Sequence, residues 1–245
     1  MSTVTPTVVL VHGAFADSSS WDGVVEQLRS RSVETVAVAN PLRSLAGDAA
    51  YVRDVVAAVG GPVLLVGHSY GGMVITQAAV DAPAVRGLVY VAAFAPQDGE
   101  SAFELSGRFP GSTLGAALDS YPLASGATDL RIEPGRFPEQ FAADVPLAYA
   151  QTMAVAQRPI TEEALRGSLM APDAPWQTLP SWFVYGADDR NIPAELQRFM
   201  ALRAGARTTR EVEGASHALA VSRPHEVTRT LLGALGLPAQ GEVAA

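Results

Sequence analysis

Val63-Leu64-Leu65-Val66-Gly67-His68-Ser69-Tyr70-Gly71-Gly72 is an apolar run that closes on a Gly-x-Ser-x-Gly pentapeptide and opens onto a helical pattern from Tyr70 to Val80. In a chain with 22 glycines such a pentapeptide is weak by itself. Its setting between a buried strand and a helix makes it specific, because so sharp a turn forces the serine into strained backbone geometry and lifts its hydroxyl above the sheet. A β-carbon at Gly67 or Gly71 is expected to collide with the neighbouring strand or helix.

The same rhythm extends to both sides. Val8–Val11, Thr35–Val38 and Leu88–Ala93 read as strands, with helices over about Ser19–Arg31 (Asp17 and the serines supplying its N-cap) and Asp48–Val59 (ending at Gly60-Gly61) between them. Strands at Trp182–Tyr185 and Thr208–Val212 resume it, with helices around Ala194–Ala204 and Glu226–Leu235. Strands that are apolar throughout and separated by helices predict a mostly parallel, doubly wound α/β sheet of about six strands. Residues 96–178 break the rhythm: no strand run stands out there, while Val145–Ala156 and Glu162–Leu169 look helical. The expected organisation is a core of residues 1–95 and 179–245 with a helical cap, residues 96–178, inserted in it. The Ala/Gly/Pro tail after Gly236 is expected to fray.

Composition narrows the chemistry. The net charge is −8, and all 17 basic residues are arginines scattered from Arg29 to Arg229. A nucleic-acid partner is not expected, since a phosphate backbone needs a concentrated basic face. The absence of lysine and cysteine removes Schiff-base, P-loop and thiol chemistry. No stretch nears the roughly 20 apolar residues of a membrane span, and the N-terminal residues lack the basic start and apolar run of a signal peptide. A cytoplasmic protein without membrane contact is the expectation.

A serine hydroxyl needs a base to become a nucleophile. Of the four histidines, His12 ends the first strand, His68 shares the serine's turn and His225 starts the last helix. His217, in the loop after the last strand, lies where catalytic groups collect in parallel sheets, at the strands' carboxyl ends. The base needs an acid to fix its tautomer. Gly186-Ala187-Asp188-Asp189 follows another strand and offers two adjacent carboxylates, between which the residues alone do not choose. Two backbone amides must meet a developing oxyanion: that of Tyr70, after the serine, and that of Ala14, which Gly13 would aim inward.

Together these pieces resemble the α/β-hydrolase superfamily over Val8 to Leu235: His12-Gly13 after the first strand, Gly67-His68-Ser69-Tyr70-Gly71-Gly72, an acid after a later strand, and Ser216-His217 near the end, in the order Ser, Asp, His. Val11-His12-Gly13-Ala14 with a downstream Trp21 is similar to the small esterase branch that includes plant methyl esterases, hydroxynitrile lyases and bacterial relatives. The acid in that superfamily falls at the fourth place of a Gly-x-x-Asp turn, which implies Asp189. Hydroxynitrile lyases of that branch use a pocket lysine, which this chain lacks, and Phe15 stands where the plant branch has cysteine.

The resemblance implies hydrolysis of a carboxylic ester through an acyl-Ser69 intermediate, with His217 as base and Asp189 as acid, and the Phe and Leu residues of the insertion suggest a small, largely apolar substrate. No metal or cofactor is expected. Phe15 and Trp21 are the expected pocket residues, and the insertion's arginines are expected on its solvated face. The expected partner is the ester itself, with a homodimer an admissible assembly. Perhydrolysis, lactone opening, thioester cleavage and acyl transfer would use the same triad, and a ligand-binding receptor with a slow triad is the alternative of another class.

Overall fold

The computed structural model describes residues 4–238; the chain's first three residues, and its tail beyond 238, for which fraying was expected, lie outside the described residues. Six strands build the main sheet: β1 (Thr7–Val11), β2 (Thr35–Val38), β3 (Val63–His68), β4 (Val85–Val91), and, after the insertion, β8 (Ser181–Gly186) and β9 (Thr208–Val212). Their order is β2-β1-β3-β4-β8-β9 and every pairing is parallel. The expected six-stranded parallel α/β sheet is what the chain forms.

Side chains alternate across this sheet with period two. Val8, Leu10, Leu64, Val66, Val89 and Val91 face a layer with α1 (Asp22–Arg29), α10 (Leu219–Ser222) and α11 (Pro224–Ala234). Val9, Val11, Leu65, Tyr90 and Phe183 face α2 (Leu45–Val59), α3 (Gly71–Ala78) and α9 (Ala194–Arg203). Because both faces are covered, β3 is buried at every residue. Each buried Val or Leu stabilises the layered core by about 1.5–3 kcal/mol.

Two helix starts differ from expectation, each for a capping reason. The first helical segment is a 3₁₀ turn, Ser18–Trp21, capped by the Asp17 side chain accepting from the Ser19 amide, before α1 begins. The second helix starts at Leu45, ahead of the expected Asp48, because the Ser44 hydroxyl accepts from the Gly47 amide. Asp48 is thereby carried inside the helix and fully buried.

Between β4 and β8 the chain forms α4 (Ala102–Ser106), α5 (Leu114–Ala117), β5 (Leu118–Pro122), β6 (Thr128–Ile132), α6 (Phe137–Phe141), α7 (Leu147–Ala156), β7 (Ile160–Thr161) and α8 (Glu162–Arg166). The expectation that this segment holds no strands needs correction: β5, β6 and β7 make a small antiparallel sheet. Its strands are short, mostly half-exposed and rich in Asp, Ser, Thr and Arg, so they carry no apolar run. Among the described residues, no helix is long and apolar enough to cross a membrane.

Candidate active site

After β2 the chain crosses over β1 to form β3, so the carboxyl ends of β1 and β3 lie side by side where the winding direction reverses. Such a switch point opens a crevice. The loop at Gly13 and the turn at Ser69 meet there so closely that a β-carbon on Gly13 would stand 2.6 Å from His68 O and collide with Ser69 Cβ. On Gly71 it would fall onto Val11 O, and on Gly67 onto the Gly71 carbonyl. These are the collisions expected from the pentapeptide.

Ser69 has φ 55°, in the left-handed region that side chains other than glycine's rarely occupy. Its backbone is fixed from three sides: its amide donates to Val91 O at 3.3 Å, and its carbonyl accepts from Gly72 (3.0 Å) and Phe94 (3.2 Å). The Ser69 hydroxyl makes no hydrogen bond among the described residues and lines a cavity of about 300 Å³.

His217 stands in the loop after β9, and neighbours hold that loop by its backbone. His68 Nε2–H donates to His217 O at 3.0 Å. The Ala218 amide donates to Phe141 O at 2.9 Å, and the Ser216 amide to Asp144 Oδ1 at 3.1 Å. The imidazole packs edge-on against Phe141, with centroids 4.9 Å apart, and beside His68 at 4.7 Å. Its Nδ1 lies 2.7 Å from Asp189 Oδ2. Its Nε2 is buried and has no partner among the described residues, and no bond to Ser69 is formed.

Of the two carboxylates, the structure pairs Asp189 with His217 and leaves Asp188 exposed. Asp189 Oδ1 accepts from the Asn191 (2.8 Å) and Ile192 (2.9 Å) amides, and Oδ2 from Gln197 Nε2 (3.0 Å). Three N–H donors already point at this side chain, so it acts as an acceptor and His217 Nδ1 carries the hydrogen. The Nε2 lone pair is then the basic one.

Ala14 and Tyr70 line the same cavity as Ser69, and neither backbone amide donates to an acceptor among the described residues. Supports around them were not visible in the sequence. The Asn40 amide donates to His12 Nε2 at 3.0 Å, so His12 Nδ1–H must be the donor to Gly13 O at 2.9 Å. The Phe15 amide donates to Arg158 O at 3.0 Å, tying the loop to the insertion. Tyr70 OH donates at 3.0 Å to Oδ2 of Asp48, a buried carboxyl that is not part of the cavity lining.

Burial sets the charges of these supports. It pushes the His68 imidazole well below its usual range, helped by the neighbouring His217, and lowers that of His12 as well. Both are therefore neutral struts. Burial also raises the Asp48 carboxyl and, well above the usual phenol range, Tyr70.

Of the expected pocket residues, Phe15 lines the cavity, with φ 61°. Trp21 does not line it. It is fully buried in the core on the α1/α11 side of the sheet, edge-on to His68 at 6.3 Å. A tryptophan starting an amphipathic helix packs inward for the area it buries, which is a correction to its expected pocket role. The remaining wall is mostly apolar: Phe94, Phe103, Leu114, Leu118, Leu130, Leu165 and Ile192, five of which come from the insertion.

A parallel sheet with a strained serine after β3, an acid after β8 and a histidine after β9 defines the α/β-hydrolase class. The chain belongs to the alpha/beta hydrolase family, whose pattern it matches over residues 8–230. It is 35% identical over 138 residues to the carbendazim hydrolyzing esterase of Nocardioides sp. (strain SG-4G), a match covering 46% of this chain and 56% of that one. It is 28% identical over 252 residues to the alpha/beta hydrolase nvfD of Aspergillus novofumigatus (strain IBT 16806), covering 94% and 97%. Among solved structures, polyneuridine aldehyde esterase superposes with a TM-score of 0.81 at 18% identity, covering 94% of this chain and 99% of that one. Two of these three proteins are named esterases, and polyneuridine aldehyde esterase shares the fold.

Proposed function

We propose that the chain is a serine-nucleophile carboxylic ester hydrolase for a small, largely apolar ester. One observation carries the reading: Ser69, Ala14 and Tyr70 line one mostly apolar cavity, and His217, packed beside the serine's neighbour His68, has its Nδ1 occupied by a buried carboxylate. His217 Nε2 takes the proton as Ser69 Oγ attacks the carbonyl carbon. The carbonyl oxygen becomes an oxyanion between the Ala14 and Tyr70 amides. As the tetrahedral centre collapses, His217 returns the proton to the leaving alcohol. Water, activated by the same nitrogen, then releases the acid from the acyl-serine. Residues 96–178 act as a cap that supplies most of the acyl-binding wall, and about 300 Å³ suits a short to medium chain.

The test is steady-state turnover of p-nitrophenyl esters from acetate to octanoate. Multiple turnovers are expected, with Ser69→Ala lowering kcat by at least about 10³-fold, because the triad acts as a unit. Its melting temperature should stay close to the parent's. A Ser69→Ala protein with a tenth or more of the activity overturns the mechanism, and a single turnover per chain would point instead to a receptor with a slow triad.

A further inference from the structure

The turn that carries Asp189 also builds one polar feature into the apolar cavity. Asn191 lies two residues on, is 2% exposed and lines the cavity with Ser69. Its amide orientation follows from its neighbours. The Arg190 carbonyl can only accept, so the Gln140 atom 2.9 Å away from it is the Nε2 donor. The same Nε2 lies 2.8 Å from the Asn191 side chain, which must therefore present Oδ1 to it. Asn191 Nδ2, with two hydrogens, faces the other way and finds no acceptor among the described residues. It is also absent from the sealed, partnerless polar atoms of the interior, so the little surface that Asn191 keeps includes this group.

The rest of the wall explains why this matters. The Ser112 hydroxyl is spent on the Asn191 carbonyl, and Ser120 and Thr128 sit toward the solvent side, exposed and half-exposed. Glu162 is the charged member of the lining, and Arg166 pairs with it at 2.8 Å. The interior wall beside the acid thus offers a neutral N–H donor and no cation among the lining residues.

We propose that Asn191 is a specificity-determining residue, and that the substrate is an ester carrying a second, uncharged acceptor oxygen (an ether or carbonyl) that Asn191 Nδ2 binds. This rests on the ester-hydrolase reading and refines it. A purely hydrocarbon chain would displace water from Nδ2 and leave a buried donor unpaired. Sites built to hydrogen-bond a substrate reject analogues lacking the partner for that reason. A carboxylate in the same place would find no cation among the lining residues.

The experiment compares kcat/KM for a six-carbon ester with its single CH₂→O analogues, placed along the acyl chain or the alcohol chain. Dividing each ratio for the parent protein by that for a variant cancels the intrinsic reactivity of the esters. At least one oxa-ester is expected to gain about 10- to 100-fold over its hydrocarbon counterpart in the parent protein, relative to Asn191→Leu. Asn191→Asp, which keeps the oxygen that Gln140 uses but loses the donor, should lose the preference too, and keeps the test alive if the leucine variant does not fold. A parent preference retained in both variants, or no preference at all, overturns the role of Asn191 while esterase activity stands. If no ester is cleaved in a Ser69-dependent way, the hydrolase reading fails and this proposal with it.

Discussion

Replacing Asp189 by Asn puts an NH₂ in place of one oxygen at the centre of four hydrogen bonds, and the structure dictates which way the new amide must sit. The Asn191 and Ile192 amides donate to Oδ1 at 2.8 and 2.9 Å, and backbone N–H groups cannot accept, so the asparagine oxygen stays there. Its NH₂ then takes the place of Oδ2, against His217 Nδ1 and Gln197 Nε2. Gln197 cannot turn over without losing its bond to Ile192 O at 2.9 Å. Reversing the asparagine would give up two backbone bonds at about 1 kcal/mol or more each and bury two unpaired donors. His217 has only to move its hydrogen from Nδ1 to Nε2, so the histidine yields. In that tautomer Nε2 can no longer take the serine proton. The expected loss is about 10⁴-fold in kcat, or about 5.4 kcal/mol of transition-state stabilisation. The opposed Gln197 and asparagine N–H groups should also cost about 1–3 kcal/mol of stability, a melting decrease of several degrees. Asp188→Asn, at an exposed carboxylate, should stay within about 3-fold of the parent. Saturating p-nitrophenyl ester turnover with parallel melts reads all of this. Asp189→Asn within tenfold of the parent, or Asp188→Asn as damaging as Asp189→Asn, would refute the reasoning.

Gly71→Ala drives a β-carbon into the Val11 carbonyl, which is part of β1 and cannot swing aside; a stability loss of about 3 kcal/mol or failure to fold is expected, and a melting temperature unchanged from the parent would contradict the close packing. His68 and His12 have lowered values in the folded state, so between those and the usual histidine value near 6.5 the unfolded chain binds more protons. Their contribution is therefore full above about pH 6.5 and is lost as pH falls below it, at up to about 1.4 kcal/mol per pH unit for each group. The raised Asp48 carboxyl works in the opposite sense, its contribution lost as pH rises through its folded value, in the acid range that begins near the usual carboxyl value. Urea melts at pH 7.5, 6.0 and 5.0, run on the parent and on Asp48→Asn to remove the opposing carboxyl, check this, and a stability that is level or rises toward pH 5 in Asp48→Asn would show that the two imidazoles are not held neutral.

The parallel sheet was legible because each of its inner strands must bury both faces, and Val8–Val11 and Val63–Val66 therefore carry unbroken apolar runs. The small sheet of the insertion hid for the converse reason. Asp119, Ser120, Asp129 and Arg131 lie on strands that cover the core on one side only, and Arg131 pairs across to Asp119 at 2.9 Å. Polar residues of that kind read as loop. The hairpin did leave a trace in Ser125-Gly126, where Gly126 has φ 88°, but one turn signal without apolar strands beside it does not make a hairpin.

At the site, the residues tied to local backbone chemistry were legible, and those defined by contacts across the chain were not. Ser69 announces itself because the glycines its strained turn requires are its sequence neighbours. Asp188 and Asp189 look alike because the choice between them is made by Gln197 and His217, eight and 28 residues further on. Trp21 misleads because an aromatic residue near a catalytic loop can serve the pocket or the core, and only the far partners Val227 and Leu231 of the α11 layer reveal which. Asn191 is the extreme case. Whether its amide offers a donor or an acceptor to the cavity depends on Gln140, 51 residues away, whose own orientation depends on the Arg190 carbonyl. The donor in the cavity therefore exists only once α6 of the insertion has packed onto the acid turn of the core. The Asn191 donor proposed to select the substrate and the loop of His217, held by Phe141 and Asp144, thus depend on the same stretch of the insertion.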